Sequence, residues 1–129
     1  PSQTRNHFNH PCRARISTMK IELTELQSKV VIEALDHYSR IGQGQLENLG
    51  LLLAKYFEGV DADGLNKEHV YPLKRAVFCQ PCHSGNGSWN IVNKNVPEPF
   101  RIAYEIQQVI EGKAHPLKIT KEPLAKIIQ

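Results

Sequence analysis

Apolar positions recur at helical spacing in four stretches of the chain and alternate with polar ones in two short stretches. Met19, Ile21 and Leu23 point one way and Lys20, Glu22 and Thr24 the other, as in a half-buried strand. Thr24 then stands where a helix N-cap belongs, and Gln27, three residues on, completes a capping-box pattern. Leu26, Val30, Val31, Ala34, Leu35, Tyr38 and Ile41 recur at steps of three and four. They predict an amphipathic helix with one buried stripe, ended by Gly42 in the C′ position. A second helix is predicted from Gly44 or Gln45 to Phe57, burying Leu46, Leu49, Leu52, Leu53 and Tyr56. Gly50 weakens its middle by roughly 1 kcal/mol relative to alanine. The short link Gly42-Gln43-Gly44 makes these two helices antiparallel neighbours or a kinked pair.

After a polar turn at 58–64, Leu65 to Gln80 reads as a shorter helix, started or interrupted at Pro72. Gly85 and Gly87 make a turn, and Ser88 to Val92 predicts a short strand leaving it. Another long helix runs from Glu98 to Glu111, with Ile102, Ala103, Ile106, Val109 and Ile110 as its core stripe. Pro99 suits its first turn and Gly112 closes it. Leu117 to Thr120 alternates again and is expected to pair with Met19–Leu23. The expected fold is therefore α+β, a single compact domain over 19–129 in which three main helices pack on a small antiparallel sheet.

With 129 residues, 40% hydrophobic and 22% charged, the chain has the make-up of an ordinary globular domain. No apolar run approaches the ~20 residues of a membrane span. The net charge of +3 is unevenly placed. Residues 1–18 hold Arg5, Arg13 and Arg15 and no acid, while from Met19 onward 13 basic residues match 13 acidic ones. The excess belongs to the leader, and the remainder carries no strong nucleic-acid signature. That leader lacks a period and stops at the only methionine, so residues 1–18 read as disordered or non-native. Three cysteines with no secretory segment ahead of them suggest a reducing, cytoplasmic setting.

Cys79-Gln80-Pro81-Cys82-His83 is the sharpest chemical string. It matches a haem-attachment signature, three zinc ligands lacking a fourth, or a redox pair, set against the plainer reading of two ordinary thiols near a loop. No stoichiometric metal and no cofactor is expected. Asp61-Ala62-Asp63-Gly64 opens like a calcium loop but has no glutamate at the twelfth position. There is no nucleophile elbow, phosphate-binding P-loop or complete dinucleotide fingerprint, which points away from catalysis. Arg40 and Arg101 each end a predicted helix beside a glycine turn. Their planar forks suit phosphate, and Tyr38 or Trp89 could stack on a base. The competing role is structural, in ion pairs with Asp36, Glu98 or Glu105.

Two segments carry a family likeness. Lys20 to Thr24, followed by Ala34-Leu35-Asp36-His37-Tyr38-Ser39-Arg40-Ile41-Gly42-Gln43-Gly44-Gln45, resembles the N-terminus of small accessory proteins of tailed phages and prophages. Asn86 to Ile91, Asn95-Val96-Pro97 and the helix from Arg101 resemble their C-terminal pattern, with Asn90 where glycine and Lys94 where proline is expected. Together they cover about half the chain. The resemblance implies a phage protein acting in the bacterial host's cytoplasm, and by analogy one that counters host defence by binding a nucleotide-like signal. The expectation is a homo-oligomer holding a small phosphate-bearing ligand through Arg40, Tyr38, Ser88, Trp89, Asn90 and Arg101. The alternatives are a module that blocks a host protein, or a zinc-stabilised domain using Cys79, Cys82 and His83.

Overall fold

The structure is a computed structural model, and it describes residues 18–78 and 87–128. Helix α1 (Glu25–Gly42) starts as its cap pattern requires. The Thr24 hydroxyl accepts from the Gln27 amide, and the Gln27 side chain accepts from the Thr24 amide. A turn at 43–47 leads into α2 (Asn48–Tyr56), later in its start than predicted. Ala62–Leu65 (α3) runs through a π-helical stretch, Asn66–Val70, into α4 (Tyr71–Val77). The wide turn has a physical cause. Pro72 offers no N–H and crowds the carbonyl four residues back, and a single π turn relieves this by letting the Tyr71 amide reach Asn66. The helical run is thus interrupted just before Pro72, and α4 resumes at Tyr71 with Pro72 in its first turn, as the sequence allowed. Helix α5 (Glu98–Ile110) comes close to its predicted limits.

The α+β expectation is overturned: no described residue lies in a β-strand, and the described fold is helical. Met19–Leu23 has no regular structure, Met19 and Ile21 are exposed, and no described strand lies beside them. Residues 88–90 are likewise irregular and lead into a turn at 91–92, again without a ladder. Leu117–Thr120 is irregular too, and its backbone groups are met by side chains of α5. Glu98, Arg101, Glu105 and Gln108 form one polar row along that helix, at spacings of three, four and three. Gln108 accepts from the Leu117 amide and donates to its carbonyl, at 3.0 and 3.4 Å. Glu105 accepts from the amides of Ile119 and Thr120 at 2.5 and 2.8 Å, and from the Thr120 hydroxyl at 2.8 Å. Arg101 donates to the Ile119 carbonyl and Glu98 accepts from the Lys121 amide. A helix edge thus does the work a neighbouring strand would do.

Helices α1 and α5 form the main contact and run antiparallel, since Gln107 reaches Asp36 while Phe100 lies at Gly42. Gly42 is the last helical residue of α1 and is buried; the left-handed residue of the turn is Gly44. A Cβ built at Gly42 would fall 2.1 Å from the Phe100 ring, so glycine is there for closeness and not to end the helix. Gly42→Ala is accordingly expected to cost about 1–3 kcal/mol by forcing α5 outward. Urea unfolding checks this, and a wild-type midpoint would show that Phe100 swings away freely.

On its other side, the start of α2 clasps the α3–α4 unit. The Glu47 carbonyl accepts from Asn66 at 3.1 Å, and its carboxylate pairs with Lys74 at 2.6 Å. A Cβ at Gly50 would meet Asn66 Oδ1 at 2.5 Å, so this mid-helix glycine also marks a close approach. At its far end α2 turns back on α1, where the Tyr56 hydroxyl and Lys55 both meet Glu33.

The single buried stripe predicted for α1 is also corrected. Val31 and Leu35 are half-buried on the side that holds Ser39 and Gly42, while Leu26, Val30, Ala34, Tyr38 and Ile41 are exposed. The buried apolar residues among those described are Val70, Ile91, Val96 and Ala103, a thin core for the described part of the chain.

Candidate functional site

Several residues singled out in the sequence meet at the C-terminal end of α1. Tyr38 stacks obliquely on Phe100, with ring centroids 4.7 Å apart. One turn on, Gln43 grips Trp89 with two hydrogen bonds: its carbonyl accepts from the Trp89 amide at 2.9 Å and its side chain donates to the Trp89 carbonyl at 3.1 Å. The Trp89 indole stands edge-on to Phe78 at 5.8 Å, tying the end of α4 to the turn after α1. Ser88 and Asn90 flank it and are exposed. Asn90 also closes its own turn, its side chain accepting from the Val92 amide and its carbonyl from the Asn93 amide.

The two arginines divide. Arg40 is occupied within its own helix and turn. It pairs with Asp36 at 2.9 Å and donates to Gln45 at 2.8 Å, the structural role its spacing allowed. Arg101 has no such partner. Glu98 and Glu105, placed to pair with it along α5, spend their carboxylates on the amides of the C-terminal tail. Among the described residues no carboxylate lies within ion-pair distance of Arg101. Its guanidinium makes one hydrogen bond, 2.7 Å to the Ile119 carbonyl, and its Nε is buried without an acceptor. A half-buried cation in that state lacks an anion. Arg101 follows Phe100 directly and so belongs to the same end of α1, although its fork is turned toward the tail.

A second polar centre was visible in the sequence only as charges on one flank of α1. Lys29, Glu33, Asp36 and His37 line an open cleft of about 510 Å³, with Lys55 from α2, Gln107 from α5 and Glu111 just past its end. The Tyr56 hydroxyl holds the Glu33 carboxyl below its ordinary range; partial desolvation opposes this and the Lys55 charge adds to it. Lys55 stays protonated to higher pH than usual, through Tyr56 first and the Glu33 charge second. His37 stands 3.7 Å from Glu33, and the carboxylates of the cleft already have basic partners: Lys55 for Glu33, Arg40 for Asp36 and Lys113 for Glu111. That makes the cleft a weaker ligand site than the environment of Arg101.

Cys79, Cys82 and His83 lie outside the described residues, as do residues 1–17 of the leader. Among the described residues no group of three or more His, Cys, Asp or Glu side chains is placed to hold a metal ion. Asp61 precedes α3, and Asp63 pairs with Lys67 inside that helical run. None of the described helices is long and apolar enough to cross a membrane. No protein-family model, curated protein or solved structure matches the chain.

Proposed function

We propose that the chain is a non-enzymatic binding protein for a small phosphate-bearing, nucleotide-like ligand, and that it serves a phage by sequestering such a signal of the bacterial host. The observation that carries this reading is Arg101, a half-buried guanidinium with a buried, unpartnered Nε and, among the described residues, no carboxylate beside it. An uncompensated cation of this kind is costly, and an anion that brings its own hydrogen-bond acceptors relieves it. The partly exposed rings of Tyr38 and Trp89 supply stacking surface at the same end of α1, with Ser88 and Asn90 as exposed polar neighbours. Arg40 contributes least, because Asp36 and Gln45 already hold it. The phage setting comes from the sequence resemblance, and no catalytic group is needed for it.

Native mass spectrometry of the full chain against a panel of mono- and dinucleotides tests the reading. The expected result is a retained nucleotide whose affinity falls by roughly 2–5 kcal/mol in Arg101→Ala, the usual cost of deleting a charged partner from a desolvated contact. Folding should change little. The variant loses one charge-assisted hydrogen bond, about 1.5–3 kcal/mol, and this is offset in part because an unpaired, half-buried charge goes with it. Failure of every nucleotide to bind, or unchanged binding in Arg101→Ala, rejects the proposal.

A further inference from the structure

The outer face of α1 carries apolar residues that nothing described in the chain covers. Leu26 is 72% exposed, Val30 59%, Tyr38 47% and Ile41 46%, with Ala34 exposed among them. Leu26, Val30, Ala34 and Ile41 lie opposite the side on which Ser39 and Gly42 are buried, whereas Tyr38 sits beside Gly42 and packs on Phe100. Val30, Ala34 and Ile41, with the half-buried His37 between the last two, follow one another at steps of four, three and four, the seam spacing of helices that pair along their length. Outward-facing apolar residues at seam spacing, on a chain with a thin core, are what a helix loses from view when a second helix lies against it.

We infer that a second copy of this chain covers the face, with the two α1 helices antiparallel about a two-fold axis. Charge complementarity selects both the occupant and the direction. With Val30 opposite Ile41 of the second copy and Ala34 opposite its His37, the flanking residues Glu33 and Arg40 face each other across the seam, twice by symmetry. A parallel pairing sets Glu33 against Tyr38 instead and gains no charge contact. Antiparallel packing also opposes the two helix dipoles. Glu33 and Arg40 are both partly exposed and keep their own-chain partners, so each is free to extend its ion pair into a network.

The area suffices. The exposed parts of Leu26, Val30 and Ile41, with those of Tyr56 and Phe57 at the end of α2 where it meets Glu33, can bury about 300 Å² of apolar surface per copy. At the usual apolar share that implies an interface of roughly 1,000 Å² in total, the lower bound for a specific one. This inference stands independently of the ligand reading.

Sedimentation equilibrium of the full chain tests it. The expected result is a concentration-dependent dimer. Ala34→Arg, at an exposed position where arginine is a good helix former, should weaken it about 100-fold with helical circular dichroism unchanged. Glu33→Arg and Arg40→Glu should each weaken self-association at least tenfold, roughly the worth of like charges set face to face. Mixed in equal amounts, these two variants should recover a dimer made of one copy of each, because every facing pair is then again of opposite sign. A chain monomeric at all concentrations overturns the proposal. A dimer indifferent to Ala34→Arg, or single variants that fail to recover on mixing, overturns it equally.

Discussion

Glu47→Ala should destabilise the protein by about 3–5 kcal/mol, because it leaves a charged lysine with no partner in the interior. Lys74 has no exposed surface, and its ammonium rests on the Glu47 carboxylate at 2.6 Å. Against a typical stability of 5–15 kcal/mol this loss is large, on the order of 10–20 °C in melting temperature. The Asn66 bond to the Glu47 carbonyl survives the substitution, so the effect isolates the orphaned charge. Lys74→Met makes the converse case. It removes the charge, keeps most of the side-chain volume, and should cost below about 1.5 kcal/mol or even stabilise. Combining the two substitutions should recover most of what Glu47→Ala loses. Urea unfolding of the three variants decides the matter. Equal losses in both single variants would show that the pair matters as a contact and not through desolvation.

That ion pair spans 27 residues, and no local pattern announces it. Legibility in this chain follows the range of the interaction. The capping box at Thr24 and Gln27 was legible because both partners lie within one turn. The limits of α5 were nearly so, because Pro99 and Gly112 punctuate them. Period alone could not tell which side of α1 turns inward, since Val31 and Leu35 belong to one apolar arc and Leu26, Val30, Ala34 and Ile41 to another. The sheet was misread for a related reason. Alternation reports an extended backbone and leaves its hydrogen-bond partner open, and for Leu117–Thr120 that partner is a helix side. The polar row 98, 101, 105 and 108 was the available signal, and it resembles any solvated helix face. Within the candidate site, Arg40 and Asp36 were readable as an i,i+4 pair. The isolation of Arg101 was not, because it depends on Glu98 and Glu105 being drawn to a tail many residues away. The grip of Gln43 on Trp89 spans 46 residues and lay equally out of reach.

The same polar row supports the other large effect. Glu105 is 2% exposed, and its two oxygens accept three hydrogen bonds from Ile119 and Thr120. Bonds to a carboxylate are worth about 1.5–3 kcal/mol each when both partners stay in place. Removal of the acceptor does not strand the donors, because the tail can leave α5 and give its amides to water. The expected loss in Glu105→Ala is therefore about 2–4 kcal/mol, less than three such bonds would sum to. It should appear as detachment of the tail well before global unfolding, since opening free energies differ from segment to segment. Hydrogen exchange reads this directly: the Leu117, Ile119 and Thr120 amides should exchange near their unprotected rates while those of α1 keep their protection. Glu105→Gln keeps the shape and one good acceptor, so intermediate protection should follow. Arg101 would respond as well, since a departing Ile119 carbonyl takes away the one hydrogen bond its guanidinium makes. Unchanged protection at Ile119 and Thr120 in Glu105→Ala would mean that the apolar side of the tail, Leu117 and Ile119, holds it in place without the carboxylate.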